Sequence, residues 1–471
     1  MNEIDWKPDI LGAGYGQHVL DLGTDPDGEG RVEAVLVRRE QQDGETARGA
    51  VLYVHGFSDY FFQKDLADFF ANRGLAFYAL ELRKCGRARR PGQTAHYVSD
   101  LAYYNDELDR ALEIITGAHP GQPVIMAAHS TGGLVVPLWL NRRRAAGTLG
   151  PIAGAVLNSP WLDLQGSWML RGPVTQAIRL QAKRKPFQAL KLRPGVYGKT
   201  LHVSGTGEWE FDTDLKPLDG FPVTLGWLNA IRRAHTVVHR GIDAGVPLLV
   251  LRSGRSHFSP RYSPRSDRCD LVLDTQQIGR WAGILGSHVT IVAVKHARHD
   301  VFLSIPEARE RAYTALGKWL DDRGMEQPRV VSASREISAR PETVFELIAD
   351  PSRQPEWDGS DNLASADGGQ RVRRAGDVFT MTLTNGGVRE NHVTEFTEGR
   401  LIAWTPSEKG KRPPGHLWRW ELEPAGDTGT RVTVTYDWTR LTDRNRLPRA
   451  RWTTAERLQA SLDRLAATAE Q

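Results

Sequence analysis

From residue 48 to residue 160, short apolar runs alternate with stretches of helical period. "GAVLYVHGF", "LAFYALELR", "PVIMAAHS" and "IAGAVLNSP" are apolar on both faces and predict buried strands. "QKDLADFFANRG", ended by Gly74, "YVSDLAYYNDELDRALEIITGA" and "GGLVVPLWLNRRR" lie between them and predict helices. Strands buried on both sides and separated by helices predict a parallel sheet with helices on both faces. The rhythm stops over residues 165–240, where Trp, Arg, Lys and Gly scatter without a clear period. It resumes with "VPLLVLRSG", "HVTIVAV" and the helix "PEARERAYTALGKWLDDRG". An interruption of that length predicts an inserted cap over the carboxyl edge of the sheet, where ligands bind in such folds. Ahead of the sheet, "QHVLDL" and "VEAVLVRR" predict edge strands.

The grammar changes after Gly324. "GMEQPRV" predicts a linker, placed at 325–329, between a first domain at 1–324 and a second at 330–471. The second domain opens on the strand "RVVSASREIS" and the helix "ARPETVFELIAD". Alternating segments follow: "DVFTMTLTNG", "VRENHVTEFTEG", "RLIAWTPS", "HLWRWELEPAG" and "TRVTVTYDWTRL". A final helix sets Leu458, Leu462 and Leu465 on one face. Strand, short helix, antiparallel strands and long helix predict an α+β domain.

Composition adds bounds. The 471 residues, 40% hydrophobic and 25% charged, fit a globular protein of two or three domains. A net charge of +4 without a concentrated basic face predicts no nucleic-acid partner. Two cysteines, Cys85 and Cys269, make no disulfide framework and point to a reducing compartment. The N-terminal residues carry no signal-peptide pattern, and no apolar run reaches bilayer length. The expectation is a cytoplasmic protein with no integral membrane segment. The basic stretch "RLQAKRKPFQALKLR" within the cap predicts a solvated helix face, with an anionic head group or a membrane surface as the alternative.

The chemistry centres on "AAHSTGG". A serine hydroxyl needs a base, an acid that orients the base, and N–H donors for the oxyanion. Ser130 follows an apolar strand and precedes a helix, the context of the G-x-S-x-G turn; Ala128 stands at the first glycine and Gly132 at the second. A helix N-cap is the other role for such a serine. The strand and the helix favour the nucleophile. "YVHGFSDY" closes the first parallel strand, so the N–H of Phe57, with that of Thr131 after the nucleophile, is expected to form the oxyanion hole. His55 there is expected to be a packed histidine. "VKHARHDVFLS" offers His299 as base, ahead of His296 because it lies further from the strand. Asp270, Asp274 and Asp267 all obey the chain order Ser, acid, His. Asp270 is the favoured acid and Asp274 the second. No metal or cofactor is required.

Together, "YVHGFSDY", "ELRKCGRARRPGQ", "AAHSTGG", "DLVLD" and "ARHD" resemble the α/β-hydrolase superfamily over roughly residues 30–322. The branch resembled is that of lysophospholipases and monoacylglycerol lipases, also called the serine aminopeptidase group. The resemblance implies a serine hydrolase acting on a small apolar acyl substrate, with the cap at 165–240 controlling access. It maps the family's D-x-x-x-D acid stretch onto Asp270 and Asp274, and its D-x-R-G-x-G-x-S strand end onto "ELRKCGRA", altered at Lys84 and Cys85. Residues 329–471 resemble the polyketide cyclase/START-like superfamily, carried by "REISARPETVFELIADPSRQPEWDG", "HVTEFTEGRLIAWTP" and "TRVTVTYDW". That resemblance implies a helix-grip fold, a curved sheet around a long C-terminal helix, with a cavity for a hydrophobic ligand. Trp357, Phe379, Trp404, Trp418 and Trp420 are its expected wall. Two alternatives stand beside the hydrolase reading. One is a non-catalytic protein with two ligand pockets. The other is a natural-product hydrolase-cyclase, which needs an acid/base group inside the second cavity.

Overall fold

The computed structural model describes residues 4–41, 47–164, 173–191, 195–426, 429–443 and 446–470. Residues 165–172 and 192–194 of the expected cap, and the end of its basic stretch, lie outside them. The chain divides into two compact units, Met1–Glu326 and Gln327–Gln471.

The first unit is built on a nine-stranded sheet in the order β1-β2-β3-β5-β4-β6-β7-β8-β9. Its strands are β1 (Lys7–Pro8), β2 (Tyr15–Thr24), β3 (Arg31–Arg39), β4 (Ala50–Val54), β5 (Ala76–Glu81), β6 (Val124–His129), β7 (Ile152–Asn158), β8 (Leu248–Ser253) and β9 (Val289–Val294). From β5 to β9 all pairs are parallel, while β1, β2 and β3 run antiparallel at one side. The helices are α1 (Lys64–Ala71), α2 (Tyr104–Ala118), α3 (Gly132–Ala145), α4 (Pro173–Arg184), α5 (Tyr197–Leu201), α6 (Leu225–Val238), α7 (Thr275–Ala282) and α8 (Pro306–Asp321).

The apolar runs have a clear use. Along β4, Ala50, Leu52 and Val54 join one core with residues of α2, α3 and α6. Val51 and Tyr53 point the other way and join a second core with α1 and α8. A period of two on a strand thus feeds two cores. The expectation of edge strands needs one correction. β3 lies between β2 and β5, and Val35, Leu36 and Val37 are buried. Its partners cover both of its backbone edges, so it carries as much apolar surface as a central strand. The strand "HVTIVAV" is the sheet's outer edge, and its burial is partial: Ile291 is exposed.

β4 has β5 on one side and β6 on the other, so the strand order switches there. In open parallel sheets the crevice beyond such a switch is the ligand site. The long excursion between β7 and β8, with α4, α5 and α6, follows the carboxyl end of β7. α6 is tied down behind that end: His235 Nε2 lies 2.8 Å from the Trp161 carbonyl and His239 Nε2 2.8 Å from that of Leu162. Among the described residues of the basic stretch, Leu180 and Phe187 are exposed together with most of its charged side chains. No helix among the described residues is long and apolar enough to cross a membrane.

The second unit has a seven-stranded antiparallel sheet in the order β10-β16-β15-β14-β13-β12-β11. The strands are β10 (Val330–Ile337), β11 (Leu363–Ser365), β12 (Val378–Leu383), β13 (Val388–Thr397), β14 (Leu401–Glu408), β15 (Leu417–Ala425) and β16 (Gly429–Asp437). Its helices are α9 (Pro341–Ala349), α10 (Gln354–Trp357), α11 (Leu447–Trp452) and α12 (Ala455–Ala469). Leu458, Leu462 and Leu465 of α12 are buried in one core with Ile337, Val432 and Val434 of the sheet. A register shift between Val393 and Glu395 marks a bulge, which bends the sheet. This is the helix-grip arrangement: a curved antiparallel sheet with a long C-terminal helix laid across it.

Candidate active site

β6 ends at His129, and the chain turns sharply into α3 at Gly132. Ser130 sits in that turn with φ of 52°, left-handed for a residue with a side chain. The strain is held from both sides. The Ser130 N–H donates to the Asn158 carbonyl (2.9 Å), and the Ser130 carbonyl accepts from Trp161 N–H (3.0 Å). Gly132 is required here: a Cβ would lie 2.6 Å from the carbonyl oxygens of both Val54 and His55. The serine therefore belongs to a tight strand–turn–helix, and its side chain does not cap the helix.

His299 follows β9 and precedes α8. Its Nε2 lies 3.0 Å from Ser130 Oγ, and its Nδ1 lies 2.9 Å from Asp270 Oδ2. With a hydroxyl donating to Nε2 and Nδ1–H donating to the carboxylate, a neutral imidazole satisfies both contacts. Asp270 is fully buried, and its other oxygen accepts the N–H groups of Val272 and Leu273, both at 2.8 Å. The other sequence candidates are occupied elsewhere. Asp274 caps α7 by accepting from Gln276 N–H. Asp267 pairs with Arg298 at 2.8 Å and accepts from the Tyr262 hydroxyl. His296 adopts φ of 64° and lies beside Arg268.

Phe57 and Thr131 flank the same turn. Among the described residues neither backbone N–H has a protein acceptor. His55 is a packed histidine: Nδ1 donates to the Gly56 carbonyl (2.7 Å) and Nε2 accepts from Leu82 N–H (3.1 Å). Burial pushes its pKa down, in keeping with that neutral form. The surroundings are aromatic. The Phe57 ring lies 4.2 Å from that of Trp227, which lies 5.6 Å from Trp161. Tyr197 from α5 meets His299 edge-on at 5.5 Å.

Sequence reasoning missed a second charged group beside the first. Asp59 lies between His129 (3.1 Å) and Lys216 (2.5 Å), and all three are buried. The His129 ring is 4.9 Å from that of His299. Burial alone would raise the Asp59 carboxyl, but Lys216 and His129 outweigh it and hold it far below the usual range. Lys216 comes from the segment inserted between β7 and β8, so this ion pair fastens the insertion to the sheet's edge. Lys216→Met is expected to destabilise the protein by about 3–5 kcal/mol in urea unfolding, because a buried carboxylate loses its cation. A loss below roughly 1 kcal/mol would contradict a buried pair of this kind. The Asp59 contribution is full above the ordinary carboxylate range and is lost as pH falls below it, since the unfolded chain then binds the proton first.

The altered strand end is explained as well. Lys84, at φ of 59° and fully buried, reaches Asp25 (2.7 Å) and Glu29 (2.9 Å) in the β2–β3 turn. Glu81 accepts from the backbone of Phe61 and Arg87. Cys85 and Cys269 are both unpaired thiols.

Comparison with known proteins assigns the chain. The model for the serine aminopeptidase S33 hydrolases matches residues 45–303, more than half of its length. The chain belongs to this family. Its first unit has the α/β-hydrolase fold. The S33 match covers the turn at Ser130 together with Asp270 and His299. Residues 328–470 match the model for polyketide cyclase/dehydrase and lipid transport proteins. Two uncharacterized proteins from strains of Mycobacterium tuberculosis are 32% identical over 114 residues and 34% over 113; each alignment covers 24% of this chain and 48% of the relative. The chain thus spans about half the length of the curated relatives it matches. Among solved structures, it is similar to a monoglyceride lipase of Saccharomyces cerevisiae (16% identity, TM-score 0.44), covering 68% of this chain and 95% of that one. It is also similar to a monoacylglycerol lipase of Paleococcus ferrophilus (19% identity, TM-score 0.41), covering 65% and 98%.

Proposed function

We propose that the first unit cleaves an ester or thioester of an apolar acyl group through Ser130, His299 and Asp270, and that the second unit is a separate ligand-binding domain. The observation that carries this is the His299 imidazole, within hydrogen-bond reach of Ser130 Oγ on one side and Asp270 on the other. Ser130 Oγ attacks the acyl carbon as His299 takes its proton. Asp270 holds the ring's orientation and stabilises the imidazolium. The N–H groups of Phe57 and Thr131 receive the oxyanion; their freedom from protein acceptors supports this role. His299 then protonates the leaving group, and water, activated by the same imidazole, releases the acid.

Aromatic surroundings favour an apolar acyl group. A peptidase reading of the family name needs an anion to hold a free amino terminus. Asp59, the buried carboxylate beside His129, is already neutralised by Lys216 and does not offer one. A non-catalytic protein has no need for the strained Ser130 or for a buried acid behind His299.

The test is turnover by the purified full chain of p-nitrophenyl butyrate, p-nitrophenyl octanoate, an octanoyl thioester and alanine p-nitroanilide. The octanoyl esters are expected to be cleaved with the highest kcat/KM and the anilide with the lowest. Preference for the anilide would overturn the ester reading, and no turnover of any of them would favour the binding-protein reading.

A further inference from the structure

The second unit holds a cavity of about 900 Å³, at the upper end of the range for sites that take one small molecule. Trp357, Trp404, Trp418 and Trp420 line it, as the sequence predicts. Phe379 does not; it packs edge-on against Trp404 with its ring 5.5 Å away and is buried. Alternation sets Phe379 on the same face as Met381 and Leu383, which do line the cavity, and the Trp404 ring stands against it.

What the sequence did not predict is charge. Arg389 from β13 and Arg446 and Arg449 from the segment after β16 also line the cavity, as do four carboxylates, of which Asp361 is paired with Arg464 and Asp358 accepts the N–H groups of Ser360, Asn362 and Leu363. Arg446 has Glu408 at 3.5 Å and Asp443 at 3.7 Å, and Glu408 is shared with Lys411 at 2.6 Å. Among the described residues no carboxylate lies within ion-pair distance of Arg389 or Arg449. His416 lines the same cavity, 8% exposed, with no partner for Nδ1. The indole Nε1 of Trp420, 2% exposed, has none either. Buried polar atoms are seldom left unpaired. Burial, then Arg446, Arg389 and Arg449, push the His416 imidazole down to about 4, so it is neutral at physiological pH. The acid/base group that a cyclase needs is thus present in kind, yet the charged groups that act on it are Arg446, Arg389 and Arg449.

We propose that this cavity binds a single-chain amphiphile ended by an anionic head group, with Arg389 and Arg449 holding the head and Trp404, Trp418 and Trp420 the apolar body. Guanidinium groups without a carboxylate partner are fitted to receive the paired oxygens of a carboxylate or phosphate. His416 Nδ1 and Trp420 Nε1 give the same ligand further hydrogen bonds at the boundary between head and body. The family description names lipid transport and leaves the charge of the ligand open; the cations supply it.

Equilibrium dialysis of the full chain against radiolabelled decanoate, decyl phosphate and decan-1-ol tests this. The comparison is with the Arg389→Gln/Arg449→Gln variant, which leaves the first unit's residues untouched. The anions are expected to lose about tenfold or more in affinity, the scale of charge-assisted hydrogen bonds, while the alcohol binds as before. The tighter of the two anions names the head group. Anion binding that does not respond to the substitutions would overturn the proposal, as would equal loss for anion and alcohol with the fold intact by circular dichroism. If the variant is unfolded, Arg389→Lys/Arg449→Lys decides: anion preference over the alcohol supports the proposal, and its absence overturns it.

Discussion

Ser130→Ala is expected to lower the turnover of p-nitrophenyl octanoate by ~10⁴–10⁶-fold, because the acyl-enzyme route is closed. The residual rate comes from the oxyanion donors and from binding, which the substitution leaves in place. KM is expected to change little, since the hydroxyl acts on the bond being broken. Thermal stability should not fall, because alanine removes only the hydroxyl from a residue already held at φ of 52°. Kinetics on the purified variant, with melting temperature measured alongside, separates a chemical loss from a folding loss. A variant that keeps most of the wild-type rate would remove Ser130 from the mechanism.

The second large effect concerns the acid. Asp270→Asn is expected to lower kcat by ~10⁴-fold, the scale seen when a triad acid becomes an amide and the imidazole takes the wrong tautomer. Asp274→Asn should leave kcat within about a factor of three, because asparagine caps a helix as well as aspartate does. Measuring kcat for both variants under one set of conditions tests the choice between two carboxylates four positions apart. Equal losses, or a larger loss at Asp274, would contradict the pairing of His299 with Asp270.

The sequence made some of this legible and hid the rest for physical reasons. The turn at Ser130 could be read because it depends on local features: an apolar strand before it, small residues after it and a helical period beyond. His299 could be read because its distance from β9 sets whether a loop can reach the sheet's edge. The acid was harder. Asp270 is fixed by a short bridge with Ser256 and by backbone hydrogen bonds to Arg255 and His257 across a long loop. Such pairing leaves no periodic trace. The group of Asp59, His129 and Lys216 was invisible because Asp59 and Lys216 are 157 positions apart. The same holds for the cations of the second cavity. Arg389 lies on β13 and Arg446 near α11, and only the curved sheet brings them together. β11 and α11 were missed because three and six residues hold too little pattern to be told from turns. β3, an apolar run near the start of the chain, reads as an edge strand by position, yet it lies inside the sheet between β2 and β5.

The most direct test of the central claim is the intact mass of the full chain after incubation with a fluorophosphonate, which reacts with an activated serine. Wild-type protein is expected to gain one adduct, and Ser130→Ala and His299→Ala to gain none. An adduct that persists in Ser130→Ala, or a folded wild-type chain that gains none, would contradict an assembled Ser130–His299–Asp270 site.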